Sequence, residues 1–112
     1  MLPKPNRLPT PEIKSVMRTG LRVNGEGVSF IYRKRDSAQE ASRFAFVVPV
    51  SVDKRATGRN RLKRLVRESV RLALPHLVPG WDGVFVVGRG LETEFRIVDQ
   101  KIRGLLQRAG ML

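Results

Sequence analysis

The 112-residue chain contains no cysteine and a single histidine, His76. Without thiols there is no disulfide framework and no thiolate metal site. With one histidine, any centre that needs two is excluded. Carboxylates are also scarce: ten Asp and Glu stand against 22 Lys and Arg. They are scattered, and no pair has acid–base or metal-ligand spacing on one element. Aromatics make up 6% of the chain. No apolar run approaches the roughly 18 residues of a membrane span. The N-terminal MLPKPNRLPTP has no apolar signal core, so the expected location is cytoplasmic.

What the chain has is positive charge, +12 at pH 7. In a small domain that excess causes self-repulsion unless a polyanion is at hand, and nucleic acid is the commonest one. Disorder is excluded by the hydrophobic share of 41%, which falls in periodic segments. The length fits one domain over 1–112.

Proline clusters at the start: Pro3, Pro5, Pro9 and Pro11. Residues 1–9 are expected to form an extended arm. Thr10-Pro11-Glu12 reads as a helix start with Thr10 as the cap, Ile13, Val16 and Met17 as the apolar stripe, and Gly20 as the stop. Residues 21–34 read as strand, broken by the turn Asn24-Gly25-Glu26-Gly27. Phe44–Val48 is a second β-prone run, and Pro49 ends it. Residues 56–74 have the strongest helical pattern, with Leu62, Leu65, Val66, Ser69 and Ala73 as the buried stripe. Gly83–Val87 reads as strand, with Trp81 anchoring the loop before it. Phe95, Val98, Ile102, Leu105, Leu106 and Ala109 then keep helical spacing up to Gly110. The expected order is α-β-β-β-α-β-α, a small mixed four-stranded sheet packed with three helices in an α+β sandwich.

Residues 54–71, KRATGRNRLKRLVRESVR, hold eight basic residues and one carboxylate, Glu68. Arg59, Lys63 and Arg67 lie at i, i+4 and i+8, with Asn60, Arg64 and Arg71 beside them. They build a ridge opposite the apolar stripe. Like charges at this spacing destabilise an isolated helix, and a phosphate backbone would offset that. The predominance of Arg suits bidentate phosphate contacts. The strand-helix-strand setting does not match a DNA-reading helix-turn-helix, so no DNA partner is expected.

Arg59-Asn60-Arg61-Leu62-Lys63-Arg64-Leu65-Val66-Arg67-Glu68 resembles the signature helix of the protein subunit of bacterial ribonuclease P. Leu2-Pro3-Lys4 with Arg7-Leu8, Gly20, Arg43, and Gly80 with Asp82 fit the same family. The resemblance implies a fold like the second domain of ribosomal protein S5, with a left-handed βαβ crossover where the default is right-handed. It also implies partnership with a catalytic RNA that removes the 5′ leader of precursor tRNA, using Mg²⁺ held mainly by that RNA. By matching position, Arg59, Asn60, Arg61, Lys63, Arg64 and Arg67 carry the helix motif, and Lys54 and Arg55 the basic loop. The family's leader cleft lies between the first helix and the sheet.

This sequence has Val50 and Ser51 where the family often has two lysines, and Ile13 and Met17 where it often has aromatics. Leader contact is then expected from Met17 and from Phe30, Tyr32, Phe44 or Phe46. The pairs Phe30/Tyr32 and Phe44/Phe46 each share a face by period 2, and one pair could be buried while the other faces RNA. Asp53 and Glu68 are the best candidates to help place a hydrated Mg²⁺, although Glu68 also suits an intrahelical pair with Arg64 or Arg71. Two rival readings remain: a structural ribosomal protein of similar fold, and a protein-only nuclease. The second lacks the residues for its chemistry.

Overall fold

The computed structural model describes residues 1–112. Helix α1 spans Thr10–Thr19, α2 Ala56–Ala73 and α3 Phe95–Arg108; the strands are β1 Leu21–Asn24, β2 Val28–Lys34, β3 Arg43–Val47 and β4 Trp81–Val87. The order expected from the sequence holds, with short 3-10 turns added at Lys4–Asn6 and Leu74–His76. The sheet runs β1-β2-β4-β3. β1 and β2 form an antiparallel hairpin, β4 pairs antiparallel with β2, and β3 lies parallel to β4. The parallel pair is joined through α2, as parallel neighbours require a crossover.

Strand register puts Phe30, Phe85 and Phe46 in one row across β2, β4 and β3, and Tyr32, Gly83 and Phe44 in the next. All these side chains share the face that packs on α2 and α3. The main core of 17 buried residues is there, including Phe30, Phe44, Phe85, Val66, Val70, Val98, Ile102 and Leu106. Gly83 leaves room for the Phe30 ring: a Cβ at Gly83 would sit 2.4 Å from Phe30 Cε1. The opposite face carries a smaller aliphatic cluster of Leu8, Val16, Ile31, Ala45 and Val84 under α1.

Four expectations are corrected here. The arm is not simply extended. It turns at Lys4–Asn6, then Arg7 bridges Phe44 in parallel, and the Leu8 amide donates to the Phe44 carbonyl at 3.0 Å. Thr10 does not cap α1; Pro9 occupies the cap position in extended conformation, so the Thr10 hydroxyl lies inside the first turn. Gly20 ends α1 without left-handed geometry, at φ −77°. Its need is for space, since a Cβ would lie 2.7 Å from the Val16 carbonyl and 2.8 Å from Ile31 Cγ2. Trp81 opens β4 rather than anchoring a loop; it pairs with Lys34 and meets the Tyr32 ring edge-on at 5.5 Å.

Candidate nucleic-acid interface

Helix α2 buries Val66, Ser69, Val70 and Ala73, with Leu62 and Leu65 half-buried against the same core. Ser69 Oγ donates to Asp99 Oδ1 at 2.6 Å, which ties α2 to α3. This packing fixes the phase of the helix and turns its charged face outward. Asn60, Arg61, Arg64 and Arg71 are exposed, and Arg59, Lys63 and Arg67 are half-buried along the flank. The ridge read from the sequence is therefore a surface feature of about three turns.

The loop before α2 is built onto the helix. Asp53 Oδ1 accepts from the Arg55 amide at 2.9 Å. Its carboxylate folds over Gly58, where a Cβ would come within 1.8 Å of Oδ2. The Arg59 guanidinium donates to the Asp53 and Lys54 carbonyls at 3.0 and 2.9 Å. Arg59 thus clamps the loop that carries Lys54 and Arg55, both of which are exposed. The Arg55 side chain, hydrogen-bonded to Asp53, holds that carboxyl below its ordinary range.

Six of the 16 arginines pair with carboxylates. Arg43 binds Asp82 through two hydrogen bonds of 2.8 and 2.7 Å and also reaches Glu12. The hydrogen bond to Asp82 is the chief reason the Arg43 guanidinium is held above its ordinary pKa. Arg35 pairs with Glu40, and Arg103 with Asp99. On α2 the one carboxylate, Glu68, is taken by Arg71 at 2.9 and 2.5 Å, the second of the two partners open to it from the sequence. No carboxylate lies within 4 Å of Arg59, Arg61, Lys63, Arg64 or Arg67.

The expected leader residues are split. Phe30, Tyr32 and Phe44 are 0%, 9% and 2% exposed, packed against α2 and α3 across the sheet from α1. No base can stack on them, so they are core residues, contrary to the sequence expectation. Phe46 shares their face but is only partly buried at the β3 edge, with the Arg67 guanidinium 5.8 Å from its ring centre. Met17, 38% exposed, is the one expected leader residue on the α1 side. On the same side Ile13, Val47 and Val86 stay half-buried at the margin of the smaller cluster. Arg33 holds α1 there, donating to Ser15 Oγ at 2.7 Å and Thr19 Oγ1 at 3.0 Å.

Asp53 and Glu68 are each engaged by an arginine. No three His, Asp or Glu side chains gather to form a metal donor set. His76 is exposed in the turn after α2. Sequence reading missed the role of Asp82; its signal was a carboxylate in the otherwise apolar run WDGVFVV, which must be paired when buried.

The geometry defines a class first: a basic α+β protein whose α2 carries a ridge of cationic side chains without carboxylate partners, the pattern that suits a polyanion. The comparisons with known proteins agree. The sequence profile of the family "Ribonuclease P" matches residues 2–110. A ribonuclease P protein component from Roseiflexus sp. (strain RS-1) is 37% identical over 108 residues, covering 95% of this chain and 87% of the relative. One from Microcystis aeruginosa is 32% identical over 105 residues, covering 90% and 87%. The RNase P protein of Thermotoga maritima superposes with TM-score 0.80 at 29% identity, covering 91% of this chain and 96% of the other. That of Staphylococcus aureus, 15% identical with TM-score 0.78, shares the fold. The chain belongs to the ribonuclease P protein family. It is a protein component of that tRNA-processing ribonucleoprotein endoribonuclease, and its partner is the ribonuclease P RNA. The ribosomal alternative gives way to this match.

Proposed function

We propose that this chain binds the catalytic RNA through the ridge of Arg59, Asn60, Arg61, Lys63, Arg64 and Arg67 and the loop residues Lys54 and Arg55. It presents the α1 side of its sheet, around Met17, to the 5′ leader of precursor tRNA. The observation that carries this reading is the run of five cationic side chains within nine residues of one helix, none with a carboxylate partner. Phosphates supply the missing counter-charge.

The chain's own donors do not fit an Mg²⁺ site, because its two best-placed carboxylates are held by arginines. We therefore assign the reaction's Mg²⁺ mainly to the RNA, and the protein's part to binding and positioning. No helix is long and apolar enough to cross a membrane, in keeping with work in the cytoplasm beside tRNA.

The test is reconstitution with a ribonuclease P RNA, reading precursor tRNA cleavage at low Mg²⁺ and binding against salt. For about six phosphate contacts the log–log salt slope is expected near −4 to −5. A flat salt response, or no stimulation of cleavage, overturns the proposal.

A further inference from the structure

The aromatic row of the sheet does not stop in the core. Phe30 stacks on Phe85 with ring centres 4.3 Å apart, and Phe85 on Phe46 at 5.9 Å with planes 7° apart. Phe46 is the last ring of this row and the one that opens to solvent at the β3 edge. It floors a hollow of about 190 Å³ walled by Met1, Leu2, Arg7 and Arg67. Arg67 Cζ stands 5.8 Å above the ring. Arg7 spends Nε on the Leu2 carbonyl at 2.7 Å, which leaves its terminal nitrogens to the outside. No carboxylate lines the hollow. At roughly 30 Å³ per water, the space holds about six waters, the scale of one flat ring and well short of a base pair.

An apolar floor, a guanidinium held over it and a second arginine at the rim match one ligand chemistry: an unpaired nucleobase with its flanking phosphates. We propose that Phe46 and Arg67 receive a single unstacked base of the catalytic RNA, with Arg7 meeting an adjacent phosphate. The catalytic RNA is the source because Arg67 belongs to the α2 ridge, and because Phe46 lies across the sheet from α1 and Met17. This rests on the ridge being the RNA interface. It assigns Phe46 to RNA anchoring, where the sequence alone had suggested leader contact.

The experiment compares Phe46→Leu, Phe46→Tyr and Arg64→Ala for binding to ribonuclease P RNA alone, and to its complex with precursor tRNA with and without a leader. Phe46→Leu is expected to weaken binding to the RNA alone by about 5- to 150-fold with an unchanged salt slope, since stacking releases no counterions. Phe46→Tyr, which keeps the π face, should bind as the parent does. If Phe46→Leu binds like the parent while Arg64→Ala is weakened, the base pocket is overturned and the ridge stands. If neither is weakened, the ridge reading falls and the pocket with it. A Phe46→Leu loss confined to leader-bearing precursor tRNA overturns the choice of the catalytic RNA as source. If Phe46→Leu melts early, Phe46→Trp in a Trp81→Phe background provides an independent readout. Its indole emission should be quenched on adding the RNA alone, and unchanged emission refutes the pocket.

Discussion

On one side of the sheet lie rings: Phe30, Phe44, Phe85 and Tyr32 interlocked with α2 and α3. On the other side lie Val16, Ile31, Ala45 and Val84 under a single ten-residue helix, bordered by the Arg43–Asp82 pair. The first face buries large apolar area, which provides the greater part of the hydrophobic driving force. The second buries less and holds α1 by polar clamps from Arg33 and Arg43. The two faces are thus held in different ways, one by ring packing and the other by a small aliphatic cluster with arginine clamps. The face with the larger core also carries the cationic ridge of α2, whose like charges need a firm seat to be held together. The leaner face keeps a half-open aliphatic margin.

The sharpest way to break this comparison is to delete one ring. Phe85→Ala should cost about 3–5 kcal/mol in urea unfolding. Val84→Ala, its neighbour on the other face, should cost distinctly less; equal losses would mean that the two faces are equally well packed. Next is Asp82→Asn, which leaves Arg43 without its bidentate partner in a mostly buried place. A loss of about 3 kcal/mol is expected, with α1 becoming the most easily exchanged helix in hydrogen exchange. Arg64→Ala should weaken RNA binding by about 1.5 kcal/mol and reduce the salt slope by about one, while the melting temperature stays at the parent value. The smallest effect concerns acid. Glu68 is held below its ordinary pKa by the Arg71 side chain. That pairing contributes to stability at neutral pH and is lost as pH falls through the lowered folded value. The difference in melting temperature between Glu68→Gln and the parent should therefore disappear in strong acid, and a difference that persists there would show that the pair does not matter.

The helices and strands were legible because their apolar periods are unbroken; α2 was placed at 56–74 from its stripe and ends at Ala73. The ridge was legible for the same reason, since fixing the buried side of a helix also fixes its outer side. What a single strand cannot disclose is which partner lies beside it. Period 2 pairs Phe30 with Tyr32 and Phe44 with Phe46, yet only the β2-β4-β3 register shows that all four point the same way. That is why aromatics expected to face RNA were found in the core. Thr10 and Trp81 were misread through their neighbours: Pro9 takes the cap position, and Gly80 made Trp81 look part of the preceding loop.

The position of β4 has a consequence for how the chain comes into being. It sits between β2 and β3 in the sheet, yet it comes after both, and after α2, in the sequence. During synthesis the β1–β2 hairpin can close at once, but β3 has no strand to pair with until Val87 has left the ribosome. Before that, the arginine helix has no completed sheet to rest on. Between the synthesis of α2 and that of β4 the nascent chain is therefore a hairpin trailing a bare cationic segment, and the pairings of β4 with β2 and β3 form together once that strand is made.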